Sequence, residues 1–281
     1  MVADVHVPSE SERHENRRKA QPGRTIRAKI LRCDGPGQPS HWESFDVKIP
    51  RGANVISVLQ QIARNPVTVE GKTTTPPVWD SGCLEEVCGA CTMVINGQVR
   101  QSCSCLMDEY APGEGDVITL EPMSKFPVIR DLWVDRERLF HNLKRVKAWV
   151  PIDGSYDLGA GPREGPELQS VRYKLSECMS CGCCLEACPQ FTLEDDASKW
   201  DDSFVGAHAI SQARLFNEHD TGKRLKKERL DELMGQGGVS DCGNAQNCVK
   251  VCPKHIPLTE SIAAIGRAVT VHSIAKFFRG S

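Results

Sequence analysis

Fourteen cysteines among 281 residues constrain this chain more than any other feature of its sequence. All but Cys33 fall into three blocks, at residues 83–105, 178–188 and 242–252. The first 24 residues contain no apolar segment of the kind that forms a secretory signal, and they mix acidic with basic side chains. We therefore expect a reducing compartment, where structural disulfides are rare, and the cysteines predict metal ligation.

The net charge argues against nucleic-acid binding, and the apolar pattern argues against a membrane span. Thirty-five Lys and Arg face 37 Asp and Glu, a formal net charge of −2, which removes the electrostatic case for nucleic-acid binding. The longest apolar stretch lies near the C terminus and is interrupted by Arg267, His272 and Lys276. Because a helix that crosses a bilayer needs about 20 mostly apolar residues, we expect no membrane span.

The first half of the chain carries strand patterns. Residues 26–30 and 45–49 alternate between apolar and polar side chains, which predicts two strands. Residues 55–62 have helical apolar spacing, with Asn54 as the expected N-cap. Asn96-Gly97 predicts a tight hairpin turn, because both residues accept positive φ. These elements together predict a small mixed sheet that carries the first cysteine block.

From about residue 131 the apolar period becomes helical. Residues 139–150 predict a helix capped by Asp135, residues 151–166 a Pro/Gly-rich loop, and residues 261–278 a terminal amphipathic helix. At roughly 150 residues per domain the chain holds about two domains. We place the limit after Pro127, giving an α+β chain with a solvated, flexible tail (1–24), a β-rich domain (25–127) and a helical domain (128–281). A partner-docking role for the tail is the alternative.

The second cysteine block has the spacing of bacterial ferredoxins. Cys178-x2-Cys181-x2-Cys184-x3-Cys188-Pro189 repeats one interval three times, whereas a zinc site uses two pairs. In two-cluster ferredoxins the fourth cysteine of such a run ligates the other cluster. The run therefore predicts iron–sulfur ligation with an exchange of the fourth ligand.

The third block repeats this run with Ala245 at the position of the second cysteine. The exchange rule then gives a [4Fe–4S] site with four thiolates: Cys178, Cys181, Cys184 and Cys252. The other site has three thiolates: Cys188, Cys242 and Cys248. Because a cubane corner without a thiolate tends to lose its iron, we predict a [3Fe–4S] cluster there. A fourth iron held by water or a carboxylate is the alternative.

The first block opens like a plant-type [2Fe–2S] ferredoxin, with Cys83-x4-Cys88-x2-Cys91. Cys103, across the Asn96-Gly97 turn, is the expected fourth ligand, and Cys105 competes on spacing alone. The cysteines left without a ligand role are expected to be small buried hydrophobes: Cys33, Cys105 and Cys183.

In these three cysteine blocks the chain resembles the iron–sulfur subunits of succinate dehydrogenase and fumarate reductase. The resemblance runs from Thr25 onward and rests on the three cysteine blocks, on the gap from Cys91 to Cys103 and on the Val128-Ile-Arg-Asp-Leu132 stretch. It implies an N-terminal β-grasp ferredoxin domain followed by an all-α, bacterial-ferredoxin-like domain. It also implies Cys103 as the fourth [2Fe–2S] ligand.

The resemblance further implies a subunit of a succinate:quinone oxidoreductase that carries electrons and contains no catalytic residue for the dicarboxylate. Electrons would pass between the FAD of a flavoprotein partner and a membrane quinone through the three clusters in chain order. The expected location is the cytoplasmic face of a bacterial plasma membrane, through an anchor subunit with haem b. Pro189 is the expected quinone-proximal residue, and Gly243, Thr192 and Leu193 favour menaquinone over ubiquinone.

Two other classes of protein are alternatives to this hypothesis. A non-redox interaction module stapled by zinc would be colourless. A thiol-linked fumarate or heterodisulfide-type reductase subunit would carry a further C-terminal domain with Cys-Cys-Gly motifs, and the sequence contains none.

Overall fold

The structure is a computed structural model that describes residues 6–151 and 163–279. Contacts between residues divide the chain into two compact units, Met1–Asp135 and Arg136–Ser281. The division lies a few residues after the limit placed at Pro127, because the short hairpin of β6 (Val128–Arg130) and β7 (Trp133–Val134) groups with the first unit.

The first unit is built on a five-stranded mixed sheet. The strands are β1 (Thr25–Arg32), β2 (His41–Lys48), β3 (Thr92–Ile95), β4 (Gln98–Gln101) and β5 (Val117–Glu121). They lie in the order β2-β1-β5-β3-β4, where β1 pairs in parallel with β5 and antiparallel with β2, and β3 pairs antiparallel with both β5 and β4. The two strands predicted from alternation are therefore confirmed.

Local signals account for the elements around this sheet. Helix α2 (Val55–Arg64) begins after Asn54, whose side chain accepts a hydrogen bond from the Ser57 N–H at 2.9 Å, as predicted. The predicted hairpin joins β3 to β4 through Asn96 and Gly97, with φ of 50° and 76°. The apolar face of α2 is buried in the same core as the inner faces of β1 and β2.

The N-terminal segment corrects an expectation. Residues 1–24 were expected to form a flexible tail, but Glu10–Lys19 form helix α1. Ser9 and Glu12 cap each other's backbone N–H groups at its start. The helix packs on α3 (Met107–Tyr110) through polar contacts: Asn16 Nδ2 donates to the Glu109 carbonyl at 2.8 Å, and Arg17 pairs with the Glu109 carboxylate. The segment lacks an apolar face, which is why periodicity failed to find it.

The described residues of the second unit form helices joined by loops. The α-helices are α4 (Glu137–Arg145), α5 (Pro166–Ser176), α6 (Cys183–Glu186), α7 (Gly206–Glu218), α8 (Lys226–Met234), α9 (Asn247–Lys250) and α10 (Leu258–Arg279). Short 3-10 turns lie at Ala197–Lys199, Gly222–Leu225 and Val239–Asp241.

Two predictions for this unit concern helix α4 and the loop that follows it. Helix α4 begins after Arg136 without a side-chain cap, so the predicted Asp135 cap is wrong, and the helix ends before Val150. Most of the loop predicted at 151–166 lies outside the described residues. Among the helices that the structure describes, none is both long and apolar enough to span a bilayer.

Candidate metal centres

The first cysteine loop surrounds its sulfurs with backbone N–H groups. Cys83 Sγ accepts from the N–H groups of Glu85, Val87 and Cys88 at 3.3–3.4 Å. These donors lower the pKa of the Cys83 thiol to about 7. Leu84 and Glu86 have positive φ (62° and 56°), which turns successive N–H groups toward the inside of the loop. The loop is therefore suited to a thiolate-bound group that carries negative charge.

The β3–β4 hairpin brings the last two cysteines of this set together. Cys91 precedes β3 and Cys103 follows β4, and the Ser102 N–H donates to the Cys91 carbonyl at 3.1 Å. Cys103 Sγ accepts from the Glu86 N–H at 3.3 Å, so it faces the same loop. Burial raises the pKa of Cys91 to about 12; the Cys103 backbone N–H acts against this rise, whereas the Cys103 side chain adds to it.

Cys105 is buried more deeply than the four cysteines of this loop. It is fully buried in the apolar core of the first unit, and burial raises its pKa to about 12. The charged groups that shift the pKa of Cys105 belong to Arg100, Glu109 and Arg13, and no cysteine is among them. Cys33 is also buried, and its thiol donates to the Gly35 carbonyl at 3.1 Å.

A cavity in the second unit is lined by cysteines from two blocks. Four cysteines of the second block share it with Cys252 of the third: Cys178, Cys181, Cys183 and Cys184. Burial raises the pKa of Cys184 well above its ordinary value, and the negative charges of nearby cysteines raise it further: Cys181, Cys178, Cys252 and Cys248. The cavity thus brings Cys252 of the third block next to cysteines of the second block.

The three cysteines predicted to hold the [3Fe–4S] cluster also approach one another: Cys188, Cys242 and Cys248. The pKa of Cys248 is raised by burial and then by the negative charges of Cys188 and Cys242. Asn247 Nδ2 donates to the Ala187 carbonyl at 3.1 Å, which joins the turn of Cys248 to that of Cys188. Ala245 is exposed between Asn244 and Gln246, whose φ values are 53° and 61°. Ala245, at the position where a complete run has a cysteine, therefore lies in a sharply bent loop.

The donor chemistry of these sets fits iron–sulfur clusters. Thiolates are soft ligands, and N–H groups aimed at sulfur are the usual outer contacts of such clusters. Within residues 6–151 and 163–279, no three His, Cys, Asp or Glu side chains are arranged around a single metal ion. A cluster presents separate iron atoms to its cysteines, so its ligands need not converge on one point.

Sequence reasoning missed the residues that hold the cysteine turns together. Asn247 lies next to a ligand candidate but has no motif of its own. The Gln190 side chain lies against Gly243, where a Cβ would stand 2.8 Å from Gln190 Nε2. Such contacts join residues distant in sequence and leave no local pattern. Pro189, expected near a quinone, is exposed.

Two family models match the chain. Residues 27–141 match the family described as "2Fe-2S iron-sulfur cluster binding domain", and residues 174–256 match "4Fe-4S dicluster domain". Fold, cysteine sets and family models together define an iron–sulfur protein with an N-terminal ferredoxin-like domain followed by a dicluster domain.

Full-length relatives narrow this class. The succinate dehydrogenase iron–sulfur subunit of Bacillus subtilis (strain 168) is 51% identical over 255 residues, which cover 91% of this chain and 96% of that protein. The fumarate reductase iron–sulfur subunit of Wolinella succinogenes is 28% identical over 87% of this chain and 97% of that protein. The chain belongs to the family of succinate dehydrogenase and fumarate reductase iron–sulfur subunits, the electron-transfer subunits of oxidoreductase complexes.

A solved structure supports the fold. A chain of the Mycobacterium smegmatis Sdh1 complex in the apo form aligns with a TM-score of 0.69 and 23% identity, covering 88% of this chain and 96% of that one. At this identity the match concerns the fold alone.

Proposed function

We propose that this chain passes electrons one at a time between the FAD of a flavoprotein subunit and a membrane quinone. The path uses a [2Fe–2S] centre, a [4Fe–4S] centre and a [3Fe–4S] centre. Their ligands are, in that order, Cys83, Cys88, Cys91 and Cys103; then Cys178, Cys181, Cys184 and Cys252; then Cys188, Cys242 and Cys248. The observation that carries the proposal is the cavity that Cys252 shares with four cysteines of the preceding block, three of which are the proposed ligands.

The chain's own residues hold and shield these centres. When bound, an iron–sulfur cluster accepts and releases single electrons. The N–H groups of residues 85–88 compensate thiolate charge at Cys83, and burial of Cys184 and Cys248 excludes water. No side chain of this chain is proposed to act as an acid, a base or a nucleophile. The dicarboxylate site belongs to the flavoprotein partner.

The proposed assembly includes a membrane-anchor cytochrome b subunit with haem b, on the cytoplasmic face of the plasma membrane. The absence of a spanning helix among the described residues is compatible with a peripheral subunit. We propose menaquinone as the acceptor and Pro189, exposed beside Cys188, as a quinone-proximal residue. The proposed folds are a β-grasp domain and an all-α, bacterial-ferredoxin-like domain.

Replacing Cys252 tests the ligand exchange. In Cys252→Ser, purified as the complex, the EPR signal of the reduced four-iron centre should be lost or strongly altered, and the [2Fe–2S] signal should remain. Cys183→Ser is the matched control, since Cys183 lines the same cavity as Cys252 and is not a proposed ligand. An unchanged four-iron signal in Cys252→Ser would refute the exchange.

A further inference from the structure

Helix α4 presents a row of polar side chains to the segment that follows Cys188. Asn142 Nδ2 donates to the Val205 carbonyl at 3.1 Å, and Arg145 Nη1 donates to the carbonyls of Trp200 and Ser203 at 2.8 Å. Arg138 Nη1 donates to the Thr192 carbonyl at 2.6 Å. Residues 138, 142 and 145 share one helical face, so α4 holds residues 192–205 along its length.

Arg138 differs from the rest of this row in its charge. The residue is 4% exposed, and its guanidinium carbon lies 4.0 Å from the centre of the Phe191 ring. In the part of the chain that the structure describes, no carboxylate forms an ion pair with Arg138. The Glu194 carboxylate attracts its positive charge from a longer distance. Its Nε has no hydrogen-bond partner. Arg138 therefore contributes a buried and largely uncompensated positive charge.

This charge lies at the end of the turn that carries Cys188. The Phe191 N–H donates to the Cys188 carbonyl at 3.2 Å, which closes the turn on which the guanidinium stacks. Gln190 in the same turn lies against Gly243, the residue after Cys242. The three cysteines proposed to hold the [3Fe–4S] centre, Cys188, Cys242 and Cys248, are called the three-thiolate set. The contacts of Arg138 thus lead to two of its members.

We propose that Arg138 is a positioning residue that raises the reduction potential of the centre held by Cys188, Cys242 and Cys248. The inference rests on the proposed function of that set. An added electron increases negative charge, and a buried cation stabilises the reduced form because the local dielectric is low. One electron leaves the four-thiolate centre as one enters the three-thiolate centre. Arg138 makes no bond and transfers no proton in this step.

A higher potential at this position favours electron flow out of the four-thiolate centre and toward the acceptor. The effect should be local, because a charge acts most strongly on the nearest centre. We therefore expect the [2Fe–2S] centre in the first unit to keep its potential when Arg138 is changed.

The test is an EPR-monitored redox titration of the purified complex. In Arg138→Gln the midpoint potential of the three-iron centre should fall by about 59 mV, equivalent to about a tenfold change in the one-electron reduction equilibrium. Arg138→Lys, which keeps the charge, should restore most of the potential. Glu194→Gln removes an opposing charge on a side chain that is 21% exposed, and it should shift the potential upward.

Arg145→Gln is the matched control. Arg145 is equally buried on the same helix and holds the same segment, but Glu232 neutralises it at 2.9 Å. This variant should lower the melting temperature without moving the three-iron potential. A potential unchanged in Arg138→Gln, or lowered equally in Arg138→Lys and Arg145→Gln, would overturn the inference. If the unmodified complex showed no three-iron signal, the proposed function of the set would fail instead.

Discussion

Asn247 donates a side-chain hydrogen bond to the backbone carbonyl of Ala187 over 3.1 Å. Each residue immediately precedes a cysteine of the three-thiolate set, Cys248 and Cys188. One amide therefore fixes the spacing of two cysteines that lie sixty positions apart in the chain.

Removing this amide should loosen the three-thiolate set. In Asn247→Leu we expect the free energy of unfolding to fall by about 1 kcal/mol, the usual net worth of one hydrogen bond, and the three-iron EPR signal per chain to decrease. Lys250→Leu, a change of an exposed residue in the same helix α9, is the control. Equal signals in the two variants would show that the amide does not position these cysteines.

Adding the missing thiol should change the cluster type. Ala245 lies in the bent loop between Cys242 and Cys248, at the position that a cysteine occupies in a complete run. Ala245→Cys should convert the centre toward four irons, and the signal near g of about 2 in the oxidised protein should disappear. Ala245→Val should retain that signal. Its persistence in Ala245→Cys would contradict the assignment of the vacant corner.

Two serine variants distinguish the candidates for the fourth [2Fe–2S] ligand. Cys103 Sγ accepts from the Glu86 N–H of the cysteine loop, whereas Cys105 is fully buried in the core. Cys103→Ser should abolish or strongly shift the [2Fe–2S] EPR spectrum. Cys105→Ser should keep that spectrum and lose about 1–3 kcal/mol of stability, because a hydroxyl without a partner is then buried. Reversal of the two results would assign the ligand to Cys105.

The N-terminal helix offers a test of its docking. Arg17→Glu places a negative charge beside the buried Glu109 carboxylate, so α1 should detach and the backbone amides of residues 10–19 should exchange with solvent about tenfold faster. Arg18→Glu makes the same charge change at a neighbouring exposed residue and should exchange like the unmodified protein. Equal acceleration in both variants would indicate a net-charge effect.

The strands, helix α2 and the β3–β4 hairpin could be predicted because their signals are local: alternation, an Asn cap and an Asn-Gly turn. The grouping of the cysteines into ligand sets is a prediction from their spacing and from the exchange rule. Helix α1 could not be predicted from apolar periodicity, because it docks through the polar side chains of Asn16 and Arg17. The Ser9–Glu12 capping box is a local sequence pattern that could have indicated its start. Arg138 and Asn247 could not be recognised, because their partners Thr192 and Ala187 are backbone carbonyls of other segments.

Anaerobic purification of the complex followed by labile-sulfide analysis and a full EPR redox titration tests the central claim most directly. We predict stoichiometric acid-labile sulfide and three separately titrating one-electron centres, of the two-iron, four-iron and three-iron types. A colourless protein without labile sulfide, or with fewer than three such centres, would contradict the account.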